Sequence, residues 1–470
     1  MMNRLIIVLC MLLACMSADA QKKAKAPTLY IYRYMLVDKA GTRYSVDKPE
    51  KFLSKKAIER RQRQGLTVDE TDLPVSERYL RLFHVPGTEV VGTSRWQNSV
   101  IVRSADTLLL QRLAMLNCVR ESRCVWISPE KPAKPISDDE DDIKWNLRRP
   151  FNEWDSVKND PYGCANHQID MLNGRRMHEA GFRGEGMTIG ILDGGFQNYD
   201  QIPAFSHAKV AGTKNFVADD FKHFHDIDHG TKVFSAMAAY VPEVIIGTAP
   251  NATYWLLRSE DNASEQPVEE DYWTMAAEFA DSVGVDIINS SLGYHEYDEG
   301  RGSYQLRDLD GQTAFVSRSA SMLAGKGIIL CNSAGNSGMG QWKKIGVPAD
   351  AHDILTVGAV NEEGKIASFS SVGPSQDGRM KPDVVAQGSP ATLVSGHGTI
   401  THDMGTSFST PITCGMVACL WQSLPQKTAY EIMELVRRSS DQSDAPNNIF
   451  GHGTPDYWKA YLSERRFNEE

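Results

Sequence analysis

Three short segments carry the residue types that nucleophilic hydrolysis needs. In Ile191-Leu192-Asp193-Gly194-Gly195-Phe196 a carboxylate follows a run of apolar residues, and two glycines allow a sharp exit. In Asp228-His229-Gly230-Thr231-Lys232-Val233 a histidine stands at the head of a helix-forming run. In Gly405-Thr406-Ser407-Phe408-Ser409-Thr410-Pro411 a serine stands where a glycine turn feeds an apolar helix, with Pro411 tolerated in its first turn. Taken singly, each has a structural reading: Asp193 and Ser407 as N-caps, His229 as a surface or core residue. Together they are a nucleophile, a base to take its proton, and a carboxylate to orient that base. The free N–H groups of a helix start at Ser407 would also favour a developing oxyanion.

These groups need elements that bring them together. Residues 187–192, 254–258, 285–289, 327–331 and 353–358 are near-continuous apolar runs, separated by helical stretches such as 267–284 and 312–326. That alternation predicts an α/β fold with a parallel sheet covered on both faces. In such sheets the reactive groups gather at the carboxyl ends of the strands, where Asp193 is expected. Ahead of this unit, residues 28–36 read as a strand and 52–65 as a basic helix stopped by Gly65. A helix over 75–83, strands near 88–92 and 97–103 and a helix near 105–116 complete a small α+β unit. Lys-Pro-Ala-Lys-Pro-Ile-Ser and five consecutive acids at 138–142 then read as an exposed linker.

Between the three segments lie further ordered motifs. They include Gly247-Thr248-Ala249-Pro250, Asp286-Ile287-Ile288-Asn289-Ser290-Ser291-Leu292-Gly293 and Ser333-Ala334-Gly335-Asn336. Val347-Pro348-Ala349, Ser368-Phe369-Ser370-Ser371 and Lys381-Pro382-Asp383-Val384 follow. On these motifs the chain resembles the subtilisin family (subtilase, S8-type) of serine proteases over about 185–460. The resemblance implies a subtilisin-like three-layer α/β/α sandwich preceded by an α+β prodomain, and serine endopeptidase activity. It implies Asp193 as the orienting carboxylate, His229 as general base and acid, Ser407 as nucleophile and Asn336 as an oxyanion-hole donor. Ser291, Leu292 and Gly293 would pair with extended substrate as an added strand. Two positions depart from the family pattern: Gly194 stands where Ser or Thr is common, and Phe408 where Met is usual.

The resemblance also implies a domain plan: a signal peptide at 1–20, a prodomain at 27–130, a linker with a processing site at 131–160, and a catalytic domain at 161–465. Met1–Gln21 supports the first, with Arg4, an eleven-residue apolar core and an Ala18-Asp19-Ala20 cleavage site, too short to span a bilayer. Export, to the periplasm or the medium, is the expected localisation, with Cys15 a lesser candidate for lipid anchoring. Formal net charge is −10 over 470 residues, yet residues 22–130 carry 20 Lys+Arg against 12 Asp+Glu. The remainder beyond the leader is therefore strongly acidic. Nucleic acid is a poor partner for such a chain. A basic prodomain inhibiting an acidic catalytic domain is the better fit, with docking expected to be salt-sensitive.

The expected partners are thus a protein or peptide substrate and the chain's own prodomain, in a monomer. No cofactor is required by this chemistry, and structural calcium, familiar in the family, has no locatable site here. Two rival readings are a metal-dependent hydrolase using His223, His225, Asp228 and His229, and a catalytically silent subtilase-fold binding protein. The metal box, similar to that of metallo-β-lactamase-fold enzymes, has a spacing one residue too long. Of the cysteines beyond the leader, Cys118 and Cys124 are close enough in the chain to pair, while Cys414 and Cys419 read as small core residues.

Overall fold

The structure is a computed structural model that describes residues 27–129, 159–219 and 221–466. The leader, its cysteines, and nearly all of the 131–160 linker with its processing site lie outside the described residues.

The N-terminal unit runs β1 (Tyr30–Leu36), α1 (Lys55–Arg63), α2 (Glu77–Phe83), β2 (Glu89–Ser94), β3 (Ser99–Ser104), α3 (Thr107–Ala114) and β4 (Val119–Ile127). Its strands form one antiparallel sheet in the order β2-β3-β1-β4. Period-2 alternation gives this sheet two jobs. Tyr34, Leu36, Val100 and Val102 point to one face and bury against Phe83, Leu110 and Leu113 of its own helices. Ile31, Ile101 and Val125 point to the other and bury against Val268 and Tyr272, which belong to the second unit. Strand β4 has no counterpart among the sequence expectations, because Arg120, Glu121 and Arg123 break its apolar pattern. It also settles the first cysteine pair. Cys118 and Cys124 are free, and six residues of extended chain hold them roughly 20 Å apart.

The second unit begins with the short helices α4 (Asn166–Asp170) and α5 (Gly174–Glu179), followed by β5 (Thr188–Asp193), β6 (Lys209–Asn215) and α6 (His229–Ala238). Next come the two-residue strands β7 (Tyr240–Val241) and β8 (Ile245–Ile246), then β9 (Thr253–Arg258), α7 (Val268–Val283), β10 (Ile287–Ser290), α8 (Phe315–Ser321) and β11 (Ile329–Ser333). The chain finishes with β12 (Leu355–Asn361), β13 (Val384–Ser389), the hairpin β14 (Ala391–Val394) and β15 (Ile400–Asp403), α9 (Thr406–Ser423), α10 (Ala429–Ser439) and α11 (Tyr457–Arg466). Seven strands pair in parallel in the order β13-β12-β11-β10-β5-β9-β6.

Neighbouring residues on these strands serve opposite cores. Ile191, Leu256, Ile287 and Ile329 pack under α6 and α9, whereas Leu192, Leu257, Ile288 and Leu330 pack under α7 and α8. This double burial is why the strands read as unbroken apolar runs, and it makes the three-layer α/β/α sandwich. Cys414 and Cys419 are fully buried in the α9 layer, as expected. Among the described residues no helix is long and apolar enough to cross a membrane.

The two units meet along α7 through buried charges. Arg60 and Arg61 on α1, together with Arg95, converge on the Asp281 carboxylate near the end of α7; Arg61 Nη1 is 2.9 Å and Arg95 Nη2 2.6 Å from it. Arg60 and Asp281 are both 0% exposed. Arg60 also donates to the main-chain carbonyls of Val285 and Lys326. A second pair joins Arg33 of β1 to Asp271, with Nε to Oδ1 at 2.7 Å and the guanidinium stacked 3.7 Å over Phe315. Burial alone would raise the Asp281 pKa, but Arg61, Arg95 and Arg60 outweigh it and hold it well below 3.8. A depressed carboxylate pKa contributes stability above its unfolded value and loses it as pH falls below that value.

The contact between the units is therefore expected to persist from pH 7 to 5, and to fail when Asp281 is removed. Asp281→Ala removes the carboxylate shared by three buried guanidiniums, of which only Arg61 keeps another in Asp72, and should cost about 3–5 kcal/mol. Urea unfolding of the full chain followed by tryptophan fluorescence checks this; a midpoint within error of wild type would contradict it.

Candidate active site

The site is built where β5, β10 and β11 end. Asp193 is the last residue of β5 and is 0% exposed. Its Oδ1 accepts the Gly194 N–H at 2.8 Å. Its two oxygens lie 2.8 and 3.0 Å from Nδ1 of His229, the first residue of α6. Both glycines sit in a crowded turn. A Cβ on Gly194 would lie 2.9 Å from Asn262 Oδ1, and one on Gly195 2.8 Å from the Ile227 side chain. The departure at Gly194 therefore leaves support of the carboxylate to a backbone N–H.

His229 is held on its other side by Phe408, whose ring centroid is 5.7 Å away and which is itself buried. Burial alone would lower the His229 pKa. The hydrogen-bonded Asp193 carboxylate outweighs that and raises it above the ordinary 6.5, with Lys232 opposing and Asp228 reinforcing the rise.

Ser407 lies in the first turn of α9, after Gly405. Its hydroxyl donates to the Ser291 carbonyl at 3.3 Å, while the Ser291 hydroxyl donates to the Ser407 carbonyl at 2.7 Å. This reciprocal pair pins the helix start to the end of β10. The Ser407 hydroxyl is thus bonded to Ser291 rather than to His229.

Asn336 follows β11. Its Oδ1 accepts both the Thr406 N–H and the Thr406 hydroxyl, each at 2.9 Å. With the oxygen committed to Thr406, the planar amide turns its NH₂ group the other way. Thr406 in turn accepts the Gly335 N–H at 3.1 Å, so one threonine sets both the asparagine and the neighbouring serine. Sequence reasoning did not single out Thr406, although it sits inside the Gly-Thr-Ser motif.

A cleft of about 530 Å³ opens beside His229 and runs past Glu260, Ser264 and Ser291-Leu292-Gly293. Gly293 leaves it open, because a Cβ there would meet only the Val347 carbonyl at 3.5 Å. The N-terminal unit reaches its rim. Trp126 Nε1 donates to Ser264 at 3.3 Å, and Ile127 exchanges hydrogen bonds of 2.9 and 3.0 Å with the Gln266 side chain.

The rival metal box disperses. His223 bonds Asp226, His225 stacks on Tyr199 at 6.1 Å, and only His229 reaches the site. Among the described residues no three His, Cys, Asp or Glu side chains converge as a metal cluster. His223 and His225 precede the helix that His229 begins. Both are half-buried in a turn of 3₁₀ helix, anchored by the fully buried Phe224.

Comparison with known proteins follows the same outline. The subtilase family model matches residues 184–453, more than half of the chain, and a Peptidase S8 propeptide domain model of the Bacteroidota matches 32–139. The chain is 28% identical to subtilisin DY of Bacillus licheniformis over 279 residues, covering 58% of this chain and 88% of that protein. It is 29% identical to subtilisin NAT of Bacillus subtilis subsp. natto over 278 residues, spanning 64% of that protein's length. The crystal structure of MycP1 from the ESX-1 type VII secretion system shares the fold, with a TM-score of 0.51 at 20% identity over 65% of this chain and 88% of that one. With the family model spanning both the Asp193–His229 pair and the Ser407 helix, the chain belongs to the subtilase family of serine proteases and carries a subtilase propeptide domain ahead of them.

Proposed function

We propose that the protein is a serine endopeptidase, exported as a zymogen, that cleaves peptide bonds through an acyl-enzyme. The observation that carries this reading is the 2.8 Å contact between buried Asp193 and His229 Nδ1, beside a helix with Ser407 in its first turn. Ser407 Oγ attacks the scissile carbonyl while His229 Nε2 takes its proton. Asp193, bonded to Nδ1, holds the tautomer and stabilises the imidazolium that forms. Attack requires the Ser407 hydroxyl to turn about χ1 from the Ser291 carbonyl toward His229, an adjustment such sites make when substrate binds. The tetrahedral oxyanion takes hydrogen bonds from Asn336 Nδ2 and the Ser407 N–H, each worth about 2.7–4 kcal/mol of barrier. His229 then protonates the leaving amine, and water repeats the sequence on the ester. Extended substrate lies along Ser291-Leu292-Gly293, and no cofactor enters these steps.

The domain plan follows from the same reading: leader 1–20, prodomain 27–130, linker 131–160 with the processing site, catalytic domain 161–465. The prodomain delivers its last strand to the cleft rim through Ile127 and Gln266. Because the arginine contacts on Asp281 are buried, salt should slow the prodomain's association with the separated catalytic domain and leave the dissociation rate little changed. Stopped-flow inhibition at 50 mM and 500 mM salt measures both rates; a dissociation rate that climbs in step with salt would contradict it.

The decisive comparison is wild type against Ser407→Ala, on a denatured protein substrate and by mass of the purified chain. Proteolysis should fall on the order of 10⁶-fold, the scale of the corresponding change in a subtilisin, and the prodomain should stay attached. A mutant that still processes itself and digests substrate overturns the serine assignment. The pH profile gives an independent check. The base must be neutral to act, and its pKa is raised, so kcat/KM should climb with pH along a limb centred above 6.5. Asp193→Asn should lower kcat about 10⁴-fold and move that limb down.

A further inference from the structure

One half-buried cation ties the segment that carries His229 to the one that leads into Ser407. Lys232, one helical turn after His229 on α6, places Nζ 3.2 Å from Asp228 Oδ1 and 3.2 Å from Asp403 Oδ2. Asp228 immediately precedes His229. Asp403 ends β15, four residues before Ser407, and its Oδ1 accepts the Met404 N–H at 2.8 Å. The Lys232 side chain is only 19% exposed.

Other contacts lay the β14–β15 hairpin along α6. Asp228 Oδ2 accepts the Gly396 N–H at 3.0 Å, Asn198 donates to the Gly396 carbonyl at 3.0 Å, and Ser235 accepts the Val394 N–H at 2.8 Å. The approach at the hairpin turn is close enough to require glycine, since a Cβ on Gly396 would lie 2.5 Å from the Asp228 Cβ. Beyond Asp403 the chain passes through Met404 and Gly405 directly into α9. Lys232 is the cationic tie between this hairpin and the helix that His229 begins.

We propose that Lys232 is a positioning residue, which through Asp228 and Asp403 sets the spacing between the His229 helix and the Ser407 helix. The inference rests on the Asp193–His229–Ser407 reading above. A spacing device matters here because the Ser407 hydroxyl must transfer its hydrogen bond from Ser291 to His229 for attack. A misplacement of about 1 Å at such a step costs on the order of 10²-fold in rate. Lys232 also has an electrostatic effect of definite sign. The charged groups facing the imidazole are Asp193 from β5, Asp228 from the preceding loop and Lys232 from α6 itself. Glu260, bonded to Tyr294, lies along the same cleft. Of these only Lys232 opposes protonation, so its removal stabilises the imidazolium.

The test uses the self-processed enzyme, with kcat, KM and the acid limb measured on a peptide substrate. Lys232→Met should lower kcat about 10- to 100-fold with KM changed less than threefold, and should move the acid limb to higher pH. Lys232→Arg keeps the charge and reaches both carboxylates, so it should restore the limb and most of kcat. Asp403→Asn breaks the tie to the hairpin and leaves Lys232 in place. It should lower kcat with the limb unmoved, and kcat is taken per active site by titration with a serine-directed acylating reagent, so that a loss of folded enzyme does not count as a fall. If Lys232→Met fails to process, Asp403→Asn and Lys232→Arg still decide the matter. Unchanged kcat and limb in the variants, or an effect confined to KM, overturns the inference. Loss of activity in Ser407→Ala together with wild-type behaviour at Lys232 sinks this inference alone. Activity in Ser407→Ala sinks the triad reading on which it stands.

Discussion

Parallel strands have one consequence that the rest of this molecule depends on: their carboxyl ends lie along a single edge. With β5, β10 and β11 adjacent in register, Asp193, Ser291 and Asn336 reach that edge from three separate stretches of chain. The helices that begin there, α6 and α9, then lay His229 and Ser407 against it with their N-termini facing the site. No single segment contains a site. The edge does, and every long-range contact that keeps the strands in register keeps the site assembled. The reciprocal serine bonds between Ser291 and Ser407 are the clearest case, because they tie a strand end to a helix start directly.

Charge on the opposite flank follows a different logic. The excess of basic residues in 22–130 suggests long-range attraction between two oppositely charged surfaces. The contacts that realise it are short and dry: three arginines on Asp281, one on Asp271. Buried ion pairs of this kind add little net stability over apolar packing, but breaking one is costly. They act as registration devices. They fix α7 against the prodomain sheet, and α7 leads into β10, whose far end borders the cleft. Held by Arg60, Val285 and Lys326 also line up the entries to β10 and β11.

What could be read from sequence follows burial. Strands β5, β10, β11 and β12 sit inside the sheet with apolar residues on both faces, and their runs predicted them to within three residues. Edge strand β6, Lys-Val-Ala-Gly-Thr-Lys-Asn, pairs on one side only, alternates with lysines, and left no such run. Strand β4, also at a sheet edge and broken by Arg120, Glu121 and Arg123, was illegible for the same reason, whereas β14 is buried but only four residues long and pairs with β15 alone. The candidate residues Asp193, His229, Ser407 and Asn336 could be named from sequence because each lies in a motif that resembles the family's. Their supports were not. The partners Lys232 and Asp403 are 171 residues apart, and Arg60 and Asp281 are 221 apart; nothing local to either member specifies such a pair.

The two departures from the family pattern make sense as one packing solution around the imidazole. A Cβ at 194 would press on the ends of the Asn262 and Ile227 side chains, at 2.9 and 3.0 Å, so a larger residue there would need both to shift. The carboxylate is then oriented by the Gly194 N–H, which cannot rotate away as a serine hydroxyl could. Phe408, rigid where a methionine would be flexible, closes the other side of the ring. His229 is thereby confined between a carboxylate fixed by backbone and an aromatic wall, with Lys232 anchoring its helix from below. The Ser407 hydroxyl, by contrast, is held by a single hydrogen bond of 3.3 Å to the Ser291 carbonyl, and on the proposed mechanism it is the group that turns toward His229.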